Sequence, residues 1–145
     1  MRRLVVDAST LLAAVVGRPQ GTPAPILSAV LNSEFEAVVC PHLMDEIRRG
    51  LASEHFRQRL RKGQAEDIVA AISEAAIQFP DPDEPEPVLH DPKDDYLVAL
   101  ARASEAEAIV TGDRDLPEHP GLKPPAIGSR AACELLGLIK PSERN

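Results

Sequence analysis

The stretch RRLVVDASTLLAAVVG, residues 2–17, sets the fold class. Leu4, Val5 and Val6 are consecutive apolar residues. A strand with one face in water alternates apolar and polar positions, so this run predicts a strand of a parallel sheet covered on both faces. Asp7 stops the run. The apolar residues of STLLAAVVG are again too continuous for alternation and predict a helix, with Ser9 or Thr10 available to cap it.

The same exchange of strand for helix continues along the chain. RPQGTPAP reads as a turn-rich loop. APILSAVLNSE is a helix with Ile26, Leu27, Val30 and Leu31 at helical spacing. FEAVVC is a strand, ended by Pro41. PHLMDEIRRGLASEHF is a helix with Leu43, Ile47 and Leu51 every fourth residue, and Glu46 beside that stripe. GQAEDIVAAISEAAIQF is another, with Ile68, Ile72 and Ala76 on one face. PDPDEPEPVLHDP is an acidic, proline-rich connection in extended conformation, with VL as a short strand. DPKDDYLVALARASEA is a helix that starts after Pro92. AEAIVTG is a strand, LKPPAIGS a final short strand and SRAACELLGL a closing helix. Together these predict one domain over residues 1–145, a three-layer α/β/α fold with a mostly parallel central sheet, its last few residues disordered.

Composition narrows the function classes. Aromatic residues are only 3% and Trp is absent, so the core is built from aliphatic side chains. No apolar run is long enough to span a bilayer, and the N-terminus lacks the apolar region of a signal peptide, so no membrane partner is expected. Cys40 and Cys133 stand far apart without metal-ligand spacing and read as buried thiols of a reducing, cytoplasmic setting. The four histidines form no zinc pattern. The formal net charge of −7 opposes broad electrostatic attraction to nucleic acid. One segment runs against it: EIRRGLASEHFRQRLRKG carries Arg48, Arg49, Arg57, Arg59, Arg61 and Lys62.

In parallel sheets, ligands bind beyond the carboxyl ends of the strands. Asp7 ends the first strand, and Asp113 follows the strand of AIVTG. Each acid has an ordinary explanation by itself. Asp7 can cap the next helix, Asp113 can serve the turn in TGDRD, Asp94 can sit on a helix dipole, and Glu46 can pair with Arg48 or Arg49. Gathered at one edge, the four would repel one another. A hard cation such as Mg²⁺ or Mn²⁺, which takes oxygen ligands and favours phosphate, resolves that repulsion. The implied chemistry is metal-assisted attack of water on a phosphodiester.

Four pieces, LVVDASTLLAA, VVCPHLMDEIRRGL, HDPKDDYLVALA and AIVTGDRDL, come in the order found in PIN-domain nucleases. The chain resembles that family over nearly its whole length, most of all the VapC-like toxin components of prokaryotic toxin–antitoxin pairs. The resemblance implies a Mg²⁺- or Mn²⁺-dependent endoribonuclease. Its implied catalytic and metal-binding acids are Asp7, Glu46, Asp94 and Asp113, with Asp115 completing the metal set and Asp95 the alternative to Asp94. Ser9 and Thr111 stand where the family often places a hydroxyl or amide near the acids, although Ala8-Ser9 departs from its commoner Thr-Asn. Implied partners are an RNA substrate and an antitoxin protein encoded nearby, with homodimerisation left open.

An acidic protein that holds RNA needs positive charge near its site. Arg49, three residues after Glu46 and so on the same helical face, is the candidate RNA contact. Three other readings stand beside this one. A non-catalytic PIN-like interaction protein would keep the fold without the chemistry. A Mg²⁺-dependent phosphatase of the haloacid-dehalogenase type needs a second Asp two residues after the first, where this chain has Ser9. A receiver domain needs paired acids that the first strand lacks.

Overall fold

The runs expected to be buried strands form the middle of the molecule. The computed structural model describes residues 1–17, 21, 23–83, 94–112 and 121–140. Within them, five strands lie side by side: β1 (Arg3–Val6), β2 (Glu36–Val39), β3 (Ile77–Gln78), β4 (Ala108–Val110) and β5 (Ala126–Ile127). Their order is β3–β2–β1–β4–β5 and every pairing is parallel. Val5 pairs with Val38 on one side and Ile109 on the other, and all three are fully buried. Coverage on both faces is the reason the central strands read as unbroken apolar runs.

Helices supply that coverage and complete the three-layer α/β/α fold. They are α1 (Ala8–Val16), α2 (Pro23–Leu31), α3 (Pro41–Leu51), α4 (Glu54–Arg57), α5 (Gln64–Ala75), α6 (Asp95–Ala103) and α7 (Ser129–Leu135). Helix α1 packs on α2 and α3, α3 on α5, and α6 on β1 and β4. Leu43, Ile47 and Leu51 of α3 are each at most 1% exposed. Truncating any of them to Ala costs about 2–5 kcal/mol by the usual cavity penalty. Gly50 permits the approach of α3 to α1, since a Cβ there would lie 2.4 Å from Leu12 Cδ1.

Of the caps expected for α1, Asp7 fills the place and Ser9 and Thr10 do not, because the Asp7 carboxylate accepts the Thr10 N–H. Two local expectations need correction. The segment 41–56 is two helices, not one: α3 ends at Leu51, and Ser53 opens α4. The segment 63–79 also divides, and its end pairs with β2 as β3. The short strand expected at Val88-Leu89, and the expected disorder of the last few residues, which include 141–145, lie outside the described residues.

The topology fixes where a site can form. From β1 the sheet grows first to β2 and β3 on one side, then to β4 and β5 on the other. The connections therefore part between β1 and β4, which opens a crevice at the carboxyl edge. The opposite edge is neutralised by arginines: Arg3 Nε lies 2.8 Å from Glu36 Oε2, and Arg2 Nη1 lies 3.0 Å from Glu107 Oε2.

Candidate active site

Asp7 sits in the crevice. Its N–H bonds the Val110 carbonyl at 2.9 Å, which ties the end of β1 to the end of β4. Its side chain belongs to a buried residue, 7% exposed. Oδ1 accepts the Thr10 N–H at 2.9 Å, and the Ser9 hydroxyl lies 2.9 and 3.0 Å from the two carboxylate oxygens. The Thr111 hydroxyl donates to Oδ2. A carboxylate offers about four acceptor positions. Three donors therefore orient Asp7 and leave it about one position for a cation or water. Among the described residues no ion pair involves it.

Glu46 reaches the same crevice from α3. Helix α3 begins with Pro41, which suits the first turn of a helix because its missing N–H is not needed there. Cys40 stands at the cap position without a capping side chain. That duty falls to Asp81, whose Oδ1 accepts the His42 N–H at 2.8 Å. One turn on, Glu46 Oε1 lies 3.0 Å from His42 Nε2. The arginines expected as its partners turn elsewhere: Arg48 pairs with Asp45 at 2.9 Å, and Arg49 Nε points to the Asp45 carbonyl at 3.4 Å.

Asp94 takes the N-cap position of α6, and Asp95 is the buried acid of its first turn. A cavity of about 430 Å³ is lined by Asp7, Ser9, Glu46, Asp94, Gly112 and Ser129 among others. Three of the acids singled out in the sequence thus share one wall, from three different elements. Asp95 does not line it, and Asp113 and Asp115 lie outside the described residues. Among the described residues, no three His, Cys, Asp or Glu side chains close around a single point. Among the described residues, the donors on the wall are carboxylates and hydroxyls. That chemistry fits a hard divalent cation.

One residue beside the wall carried no signal in the sequence. Tyr96, on α6, packs its ring against that of His42 with centroids 4.2 Å apart and planes at 57°. Its hydroxyl is buried without a hydrogen-bond partner among the described residues. Burial drives its pKa well above the usual phenol value, and the nearby Glu46 carboxylate adds to the rise by its charge and by its approach to the hydroxyl, although no hydrogen bond of full geometry forms. Burial likewise pushes the Cys40 thiol up to about 11, despite lowering by backbone N–H groups of α3.

The basic segment gathers around a different cavity, of about 980 Å³. Arg48, Arg57, Arg61 and Lys62 line it over a floor that includes Leu51 and Leu60. Among the described residues it shares no lining residue with the acidic crevice, and Arg49 lines neither.

A family model described as PIN domain matches residues 3–115. The crystal structure of PAE2754 from Pyrobaculum aerophilum is similar, with a TM-score of 0.66 over 95% of this chain and 91% of that one. The two sequences are 17% identical, so that likeness bears on the fold alone. No curated protein matches the chain.

Proposed function

Since the chain belongs to the PIN-domain family, whose members are generally nucleases, we propose that it is a Mg²⁺- or Mn²⁺-dependent endoribonuclease. The observation that carries this reading is the shared wall of Asp7, Glu46 and Asp94 at the crevice between β1 and β4. A bound divalent cation would offset charge on the scissile phosphate and lower the pKa of an attacking water. Asp7, Glu46 and Asp94 would hold it, with Asp113 and Asp115 as further ligands. The chain's own contribution is orientation. Thr111, Ser9 and the Thr10 N–H fix the Asp7 carboxylate, and His42 fixes Glu46. Arg49, exposed on the helix that carries Glu46, is assigned to the RNA backbone.

In this reading the protein is the toxin of a toxin–antitoxin pair, cytoplasmic, inhibited by a protein encoded nearby and able to form a homodimer. Among the described residues no helix is long and apolar enough to cross a membrane. A second reading, a non-catalytic interaction protein, draws on the same Asp7. Three hydrogen bonds already employ its carboxylate, which explains a buried acid at a helix start without any metal.

The two readings part in one experiment. Single-stranded RNA is incubated with the purified protein and Mn²⁺, with excess chelator, and with Asp7→Asn. Asn still caps a helix, so the variant stays folded. Cleavage that stops with chelator and with Asp7→Asn supports the nuclease. Cleavage by neither protein, with no Mn²⁺ bound, leaves the interaction protein.

A further inference from the structure

We propose that Tyr96 is a positioning residue whose hydroxyl, together with His42, clamps the Glu46 carboxylate when a divalent cation binds beside Asp7. The inference rests on the reading of this crevice as a metal site. It begins from a buried hydroxyl that has no hydrogen-bond partner among the described residues, on a residue only 7% exposed. Buried tyrosine hydroxyls are almost always paired, because leaving one unpaired forfeits its bonds to water. Phenylalanine would fill the same space and keep the stacking on His42 at no such penalty. The hydroxyl is therefore retained for a partner with which the present arrangement makes no well-formed hydrogen bond.

The surroundings identify that partner. A phenol carries its proton at neutral pH, so it can donate to a carboxylate. The His42 ring on which Tyr96 packs at 4.2 Å also holds Glu46 Oε1 at 3.0 Å, so the stacked pair brings the Glu46 carboxylate to the phenol. Asp7 already has three donors, whereas Glu46 has His42 Nε2 at 3.0 Å on one oxygen. Glu46 also shares its wall with two other acids, Asp7 and Asp94, whose like charge spreads the group. A cation between them removes that repulsion and lets Glu46 settle against the Tyr96 hydroxyl. Two donors from α3 and α6 then fix one ligand, the usual task of groups just behind a metal's own ligands.

The test uses Mn²⁺ alone as the probe, with Tyr96→Phe compared against the natural protein. Free Mn²⁺ is followed by electron paramagnetic resonance, and thermal unfolding is recorded in chelator. The expected result is Mn²⁺ affinity weakened about 10- to 100-fold, with an unfolding temperature in chelator equal to or above that of the natural protein. A merely structural tyrosine would lower that temperature, and such a drop overturns the proposal. Unchanged Mn²⁺ affinity in Tyr96→Phe overturns it too, while leaving the metal site intact. If the natural protein binds no Mn²⁺, the metal reading fails and the proposal falls with it.

Discussion

The Thr111 hydroxyl donates a hydrogen bond to Oδ2 of Asp7, joining the ends of β4 and β1 across 104 residues of sequence. Both residues are buried, Thr111 at 1% exposure. This contact closes the crevice at its base and sets the direction in which Asp7 presents its remaining acceptor position.

Replacing Thr111 by Val keeps the shape and removes the donor. The carboxylate would lose one of its hydrogen bonds where water cannot easily replace it. Hydrogen bonds to charged groups contribute about 1.5–3 kcal/mol, so Thr111→Val should lower unfolding free energy by that order. Urea denaturation of both proteins at pH 7 measures it. A midpoint equal to that of the natural protein would show that Ser9 and Thr10 suffice to satisfy Asp7.

Asp81 is expected to stabilise α3 from outside. It accepts the His42 N–H, one of the donors that the first turn of a helix leaves unpaired, and its negative charge suits the helix N-terminus. Loss of an N-cap side chain costs about 0.5–2 kcal/mol. Asp81→Ala should cost that much, and Asp81→Asn less. Equal stability of Asp81→Ala and the natural protein in urea would remove this capping role.

The parts of the fold legible in the sequence are those whose signal is local. Strands β1, β2 and β4 are covered on both faces, so Leu4–Val6, Ala37–Val39 and Ala108–Val110 read directly as apolar runs. Strand β3 was hidden because Ile77 continues the apolar spacing of α5, and two residues carry no period of their own. The break between α3 and α4 was hidden in the same way by Leu51 and Phe56, although Ser53 offered a cap signal. At the candidate site, Asp7 stands at the end of an apolar run and Asp94 at a helix start, so both stood out locally, whereas Glu46, in the middle of α3, was singled out by the family resemblance. Asp81 and Tyr96 could not be picked out. Each acts on α3 through a contact between segments far apart in sequence, and no local pattern encodes such a contact.

Cys40 should make stability sensitive to alkaline pH. Its thiol is raised from 9.0 to about 11, with burial the largest cause and Asp81 contributing. In the unfolded chain the thiol loses its proton first, so the native state holds the extra proton between those values. Stability from this group is therefore complete below about pH 9 and declines as pH rises through 11. Unfolding free energies of the natural protein and Cys40→Ala, measured from pH 8 to 11, should converge as pH rises. Parallel curves would mean that the thiol titrates alike in both states.

For the proposed RNA substrate the basic segment would offer two routes, and salt dependence separates them. Arg49 is exposed on α3, three residues beyond Glu46, and its 3.4 Å contact to a backbone carbonyl is too long to restrain it strongly. Arg57 and Arg61 instead line the second cavity, where Arg48 is already paired with Asp45. Each phosphate contact on a single strand contributes about 0.7 to the slope of log affinity against log salt. Binding of a single-stranded RNA is measured across a salt series in an Asp7→Asn background, where no strand is cut. Arg49→Ala should reduce the slope by about 0.7, and Arg57→Ala with Arg61→Ala by about 1.4 if the strand also crosses the second cavity. A reduced slope for the pair alone would move the RNA path away from Arg49 and onto the α3–α5 cavity. Unchanged slopes in both variants would leave the whole segment as an ordinary solvated surface, its charge offsetting part of the acidic excess.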